Sequence, residues 1–187
     1  MIVKEFLSIY QSDGIVQSIS DKITTSKPGD SIHIKGLCGS LDTVLMSAFL
    51  KEKQPFLIIC EEKEEAQYVY NDLQALIGDT AVILFPMSHK KPYEWEEVDN
   101  ANVLLRAEVL NILSNYSGQS LAIVSYPAAM TEKVINRKSL VKNTLSIRVG
   151  DKIDRNFVAE TLNEYDFERT DFVYEAGQYS VRGGILD

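Results

Sequence analysis

A strand, a turn with two glycines and an apolar helix follow one another in residues 32–50, and this order most constrains the fold. The segment is IHIKGLCGSLDTVLMSAFL, with alternating residues before Gly36 and a helix predicted from about Asp42. A phosphate-binding loop has the same order, because backbone amides at a helix N-terminus face the anion. An ordinary strand, turn and helix with two glycines also has this pattern, so the order alone leaves both interpretations open.

The loop has a carboxylate where a phosphate-binding loop has an ammonium group. Four positions match the pattern G-x-T-G-S-G-K-T: Gly36, Gly39, Ser40 and Thr43. Leu41 replaces the last glycine, and Asp42 replaces the lysine. Two unit charges about 4 Å apart interact by about 4 kcal/mol at an effective dielectric constant near 20, so repulsion of this size opposes phosphate binding. We therefore expect a degenerate phosphate loop that binds no cofactor.

Three further apolar runs predict buried parallel strands at residues 56–60, 81–85 and 121–125. Helical patterns lie in the first 25 residues, at 61–77 with Gly78 ending the helix, at 101–116, and from Pro127 to about Ile135. With the strand before Gly36, four strands separated by helices predict an α/β domain. We expect a parallel sheet of the P-loop or RecA-like type over residues 1–143.

The pattern changes after residue 143. Residues 144–149 alternate between apolar and polar, which predicts a strand with one solvated face. Asp154 is placed to cap a helix over residues 155–165, and two strands at 167–174 and 179–186 are predicted around the turn EAGQ. Residues 144–187 therefore form the start of a smaller α+β domain, which we expect to continue beyond Asp187.

Composition excludes several classes of protein. A net charge of −8 argues against a nonspecific nucleic-acid binder. No apolar run approaches the roughly 18 residues of a membrane helix, so we expect a soluble, cytoplasmic protein with no membrane contact. Cys38 and Cys60 fall in no metal-binding or redox spacing, which predicts reduced thiols and no metal site.

The most specific motif lies at the end of the chain. YEAGQYSVRGGILD at residues 174–187 fits E-x-G-x-[YF]-x-x-R-G-x-[IL]-[IL]-D, and RVGD begins at Arg148. These residues resemble the N-terminal region of bacterial transcription-repair coupling factors and, less closely, the DNA-loading subunit of the repair excinuclease. The segments GLCGS at residue 36, FP-x5-PYEW at residue 85 and LAIVSY at residue 121 agree. The resemblance covers nearly the whole chain.

The resemblance implies a nonenzymatic module that recruits the damage-recognition subunit of the nucleotide-excision-repair excinuclease to stalled RNA polymerase. It implies that this module has lost ATP hydrolysis and DNA loading. ATP and Mg²⁺ would then act in a separate motor region of the parent protein, an ATP-dependent DNA translocase. RNA polymerase and DNA would be contacted by the remainder of that parent.

The resemblance also implies a docking surface in the second domain. Arg182, by its position in the RGG segment, matches an arginine of that surface, and Tyr179, Arg169 and Glu175 are further candidates. An arginine suits this role because its planar guanidinium can bind a carboxylate through two hydrogen bonds. Each candidate also suits a structural role, and for Arg182 this would be a surface ion pair contributing less than about 1 kcal/mol.

A competing hypothesis is an ATP-binding, helicase-like domain with direct DNA contact. It has less support in the sequence, because the acidic run after Cys60 begins a helix and the loop has no lysine for it to serve. The hairpin and paired helicase elements by which the DNA-loading subunit of the excinuclease grips DNA are also missing from the resemblance.

Overall fold

The chain divides into two compact units, which are described separately. The computed structural model describes residues 3–50, 55–78, 81–89, 99–175 and 177–187. One unit comprises Met1–Pro86 and Asn115–Thr131, and the other comprises Met87–Ser114 and Glu132–Asp187. The predicted domain boundary between residues 143 and 144 stays a prediction. The PYEW motif at residues 92–95 lies outside the described residues.

Helices occupy most of the stretches where the sequence predicts them. In the described residues they are α1 (Val3–Ser12), α2 (Gly14–Thr25), α3 (Leu41–Phe49), α4 (Lys63–Ile77), α5 (Asn100–Ser114), α6 (Pro127–Met130), α7 (Arg137–Lys142) and α8 (Arg155–Glu164). The helix predicted from Pro127 ends at Met130 instead of near Ile135. Among these helices, none is both long enough and apolar enough to cross a lipid bilayer.

A parallel sheet of three strands forms the centre of the first unit. Its strands are β1 (Pro55–Ile59), β2 (Val82–Leu84) and β3 (Leu121–Ser125), in the order β1-β3-β2. Both β1 and β2 pair with β3 in parallel. Every residue of β3 is buried, as expected of a continuous apolar run in a central strand. The predicted parallel strands at residues 56–60, 81–85 and 121–125 are confirmed, but the predicted burial of the first is wrong, because β1 lies at the sheet edge and has no buried residue.

Helix α4 covers this sheet through one apolar face. Ala66, Val69 and Leu73 are its buried residues, at the spacing of an amphipathic helix. The helix ends where the sequence predicts, because Gly78 adopts a φ of 92° that favours glycine. The Gly78 amide donates to the Gln74 carbonyl at 2.9 Å.

Strand β1 lies at the edge of the sheet. Within the described residues it pairs with β3 alone. Leu57 is 51% exposed and Ile59 is 56% exposed, although both belong to an apolar run. Strand β1 therefore has exposed apolar side chains on one face of the sheet and, along its outer edge, backbone groups that no described strand satisfies.

The prediction of a strand before Gly36 is wrong. Residues 31–38 carry no regular structure, and Ile32, Ile34 and Leu37 are exposed. Alternation between apolar and polar residues fits a strand, but a strand forms only where a neighbouring strand supplies hydrogen bonds. No strand of the described residues pairs with this segment. The predicted helix after the turn is confirmed and begins at Leu41.

The second unit contains short strands around α8. They are β4 (Glu168–Arg169), β5 (Gln178–Tyr179), β6 (Val181–Arg182) and β7 (Ile185–Leu186). Strand β4 pairs with β5 in parallel, so the EAGQ turn does not close a hairpin. The hairpin is formed by β6 and β7, which are antiparallel. The predicted cap is confirmed, because Asp154 accepts a hydrogen bond from the Asn156 amide at 2.8 Å.

The prediction of a strand at residues 144–149 is also wrong. These residues have no regular structure and are exposed. The alternation of Leu145, Ile147 and Val149 predicts a strand with one buried face, but no described strand or helix covers that face. The physical reason is the same as for the segment before Gly36: a pattern of side chains does not supply a partner.

A carboxylate anchors the turn before α5 in the second unit. Glu132 accepts hydrogen bonds from the Ser88 amide at 2.9 Å and from the Ser88 hydroxyl. Its oxygens also lie 3.4 Å from Arg106 Nη1 and 3.7 Å from His89 Nε2. Burial alone would raise the pKa of Glu132, but the Ser88 hydrogen bonds and the Arg106 and His89 charges lower it below its ordinary value.

We predict that Glu132→Gln lowers the unfolding free energy by about 1 to 3 kcal/mol at pH 7, because charge-assisted hydrogen bonds and a partner for the buried Arg106 are lost. A carboxylate whose pKa is lowered by folding contributes stability above its unfolded pKa and loses it as pH falls through the folded pKa. The difference in unfolding free energy between Glu132→Gln and the parent chain should therefore become smaller at acid pH. Urea titrations from pH 7 to pH 3 measure it.

The matched control is Glu160→Gln, which changes an exposed carboxyl group on α8. We expect this variant to differ from the parent by less than about 0.5 kcal/mol at every pH. An equal loss for Glu132→Gln at pH 7 and pH 3 would contradict the assignment of Glu132 as the ionised anchor.

Candidate docking site

Both glycines of the turn before α3 adopt a positive φ. Gly36 has a φ of 84° and Gly39 has a φ of 60°, so both occupy the left-handed region. Ser40 precedes the helix without making a side-chain cap. The turn therefore delivers the chain to the N-terminus of α3 at Leu41.

The N-terminus of α3 already holds a negative group of its own. Asp42 Oδ1 accepts a hydrogen bond from the Thr43 amide at 2.7 Å and from the Thr43 hydroxyl at 3.3 Å. The Thr43 side chain is buried beside it. A carboxylate in the first turn is favourable for the helix, because the helix dipole is positive at this end. The same carboxylate opposes a phosphate at this position.

The buried Cys60 thiol lies close enough to two carboxylates, Glu65 and Asp42, to be affected by their charges. Cys60 follows β1, and its amide donates to the Ser125 carbonyl at 2.9 Å. Burial raises the pKa of the Cys60 thiol to about 11, and the negative charges of Glu65 and then Asp42 add to that effect. In the sequence pattern G-x-T-G-S-G-K-T, Asp42 occupies the position of the lysine and Leu41 that of the last glycine.

Arg182 lies at the surface of the second unit on the β6–β7 hairpin. The hairpin turns through Gly183, which has a φ of 61°, and Gly184. Arg182 Nη2 lies 2.6 Å from Asp187 Oδ2, and its guanidinium carbon lies 4.8 Å from the centre of the Phe172 ring. The Arg182 side chain remains 49% exposed. The guanidinium is thus held between a carboxylate and an aromatic ring, with further donors directed at solvent.

The other candidate residues have different environments. Tyr179 is 1% exposed, and its hydroxyl donates to Asn163 Oδ1 at 2.9 Å. A side chain in that position supports the surface from beneath and does not present itself to a partner. Arg169 is exposed on β4 and pairs with Tyr179 through the backbone. Glu175 is exposed, and its carbonyl accepts from the Gln178 amide at 3.4 Å.

Sequence reasoning missed the two side chains that hold Arg182. Asp187 lies diagonally across the hairpin from Arg182, because Arg182 pairs with Ile185 two residues earlier. The Gly-Gly turn gives this register, so the sequence contained a signal for the Asp187 contact. Phe172 precedes β5 in a segment without regular structure, and no spacing rule connects it to Arg182.

We predict that Asp42→Asn lowers the pKa of the Cys60 thiol, because one nearby negative charge is removed while the amide oxygen can still accept from Thr43. At a pKa of about 11, about one thiol in a thousand is ionised at pH 8. The pH dependence of the reaction with a disulfide reagent measures the pKa in a Cys38→Ser background, where Cys60 is the remaining thiol.

The matched control for that measurement is Asp72→Asn on α4, which removes an exposed carboxylate that is not among the groups acting on Cys60. Its pH profile should coincide with that of the parent. Identical profiles for Asp42→Asn and the parent would contradict the placement of the Asp42 charge beside Cys60.

Comparisons with known proteins agree with the motifs at the end of the chain. Residues 145–187 match the model of the UvrB interaction domain family. This match contains β4 to β7 and therefore all four candidate docking residues.

Curated relatives extend the similarity to the rest of the chain. The transcription-repair-coupling factor of Bacillus subtilis is 31% identical over 156 residues, which are 82% of this chain and 13% of that protein. The corresponding protein of Rickettsia bellii is 26% identical over 144 residues, covering 76% of this chain and 13% of that protein. UvrABC system protein B of Enterococcus faecalis is 24% identical over 187 residues, covering 91% of this chain and 27% of that protein.

The chain therefore spans a minor part of the length of each of these relatives. The match of residues 145–187 and the similarity over most of the chain point to the same group of proteins. The chain is therefore a module similar to the N-terminal part of transcription-repair-coupling factors and to part of UvrABC system protein B.

Proposed function

We propose that the chain is a nonenzymatic recruitment module of a transcription-coupled DNA repair factor. Through residues 144–187 it docks the damage-recognition subunit of the nucleotide-excision-repair excinuclease, called the damage-recognition subunit below. The match to the UvrB interaction domain family over residues 145–187 supports this proposal, since the name describes a module for protein interaction. The names of the relatives support a role that couples transcription to repair.

The observation that carries the proposal is the environment of Arg182. Its guanidinium is fixed by Asp187 and Phe172 and still faces solvent. Fixing the side chain before binding reduces the entropy that an interface loses when it orders a long arginine. Arginines that are presented in this way are common among the residues that dominate binding energy.

The remainder of the parent protein completes the function in this proposal. RNA polymerase and DNA are bound by regions outside this chain, and ATP with Mg²⁺ drives a translocase motor there. The module itself acts by bringing the damage-recognition subunit to a stalled polymerase. The similarity to proteins named transcription-repair-coupling factor supports this assignment.

We also propose that the first unit is an α/β domain of the P-loop or RecA-like type with a degenerate phosphate loop. Three parallel strands, a glycine turn and a helix starting at Leu41 support this interpretation. Asp42 at the N-terminus of α3 supports the loss of nucleotide binding. The first unit then serves as a scaffold and not as a motor.

We predict that Arg182→Ala weakens the binding of the damage-recognition subunit by about tenfold or more, because truncating an arginine anchor removes charge-assisted hydrogen bonds. Titrating the chain over the surface-immobilised damage-recognition subunit gives the dissociation constants. Lys138→Ala on α7 is the matched control, since it removes an exposed positive charge from the same unit. Equal affinities for Arg182→Ala and Lys138→Ala would remove Arg182 from the site, and a parent chain that does not bind would overturn the proposal.

We predict that ATP with Mg²⁺ binds the chain more weakly than about 1 mM, because the Asp42 carboxylate repels the triphosphate at the helix N-terminus. Calorimetric titration at physiological salt measures this affinity. Binding in the micromolar range, or turnover of ATP by the chain, would favour the competing helicase-like function.

A further inference from the structure

A recess with two arginines lies beside the β6–β7 hairpin in the second unit. It has a volume of about 370 Å³ and is lined by Arg155, Asn156, Ala159, Arg169, Val181 and Gly183. The lining contains two guanidinium groups and no carboxylate, although acidic residues outnumber basic ones in residues 145–187. A concave site lined by one sign of charge concentrates the opposite charge. The recess is therefore suited to an anion.

Arg155 is held at one side of the recess by the hairpin. It is the first residue of α8, and its Nη1 donates to the Gly183 carbonyl at the turn. A guanidinium has five N–H donors, so this contact fixes the group and leaves donors for a ligand. Arg155 remains exposed at the surface.

Arg169 also lines the recess, and its backbone is held by the buried part of the unit. Its strand pairs with Tyr179, and the Tyr179 hydroxyl is bonded to Asn163 of α8. The backbone at Arg169 is thus tied to the same helix that begins with Arg155. No carboxylate of the described residues forms an ion pair with the Arg169 guanidinium.

The recess is distinct from the contacts of Arg182. Val181 lines the recess, and Arg182 follows it in β6, so their side chains point to opposite faces of the hairpin. On the other face, Arg182 contacts Phe172 and Asp187. The recess arginines on α8 and β4 and the Arg182 guanidinium on the hairpin therefore belong to separate contacts.

We propose that the recess binds one carboxylate side chain, Asp or Glu, of the docking partner, and that Arg155 and Arg169 hold its two oxygens. This inference rests on the proposed docking function. Planar guanidinium groups match a carboxylate and form charge-assisted hydrogen bonds with it. Ala159 and Val181 supply apolar surface for the methylene groups of a Glu side chain. A nucleic acid fits less well, because the chain carries a net charge of −8, which repels an extended polyanion.

The first experiment measures the affinity of the damage-recognition subunit for Arg155→Gln and Arg169→Gln. Each variant keeps a polar side chain and loses the charge, and we expect each to weaken binding about tenfold. Arg148→Gln is the matched control in the same segment and should leave the affinity unchanged. Unchanged affinities for both recess variants, together with weaker binding by Arg182→Ala, would overturn this inference and leave the docking function intact.

The second experiment does not need the partner. N-acetylglutamate amide is titrated into the chain, and the arginine Nε–Hε resonances are followed by NMR, with N-acetylglutamine amide as the neutral probe. We expect glutamate to shift the Arg155 and Arg169 resonances, and glutamine to shift neither. Equal shifts with both probes, or equal shifts at Arg148, would overturn the inference. Glutamate-specific shifts in a chain that fails to bind the damage-recognition subunit would support the recess and overturn the docking function.

Discussion

Strand β3 is the element on which the first unit depends, because β1 and β2 both pair with it and, in the described residues, with no other strand. The amides that follow the two outer strands also bond to β3: Cys60 donates to Ser125 and Phe85 donates to Val124. The Ser125 hydroxyl returns a hydrogen bond to the Phe85 carbonyl. One buried apolar run therefore fixes the position of both strand ends, including the edge at which Cys60 and Asp42 interact.

The carboxylate of Asp42 stabilises the N-terminus of α3 from within the chain. A helix N-terminus leaves amides unsatisfied and carries partial positive charge. Asp42 supplies a negative oxygen to the Thr43 amide from within the chain. In a phosphate-binding loop, the phosphate accepts hydrogen bonds from the amides at the helix N-terminus. In this chain, a side chain of the helix itself accepts one of them.

The sequence predicts the buried elements better than the exposed ones. Continuous apolar runs identify β1, β2 and β3, although every residue is buried only in β3 and β1 is largely exposed. The alternation of apolar and polar residues before Gly36 and after residue 143 predicts strands that the structure does not contain. Such a pattern forms a strand only where a neighbouring strand accepts and donates its hydrogen bonds. At the candidate site, the Gly-Gly turn fixes the register that brings Asp187 to Arg182. The contact between Arg182 and Phe172 could not be predicted in this way. Phe172 lies in the connection between β4 and β5, which are parallel and do not form the hairpin that the local sequence favours.

The exposed side of β1 has a consequence for handling the purified chain. Leu57 and Ile59 stand along a strand whose outer amides and carbonyls have no strand partner in the described residues. Two copies that meet there can extend one another's sheets, and encounters of this kind become more frequent with the square of the concentration. Dilute storage lowers the frequency of such encounters.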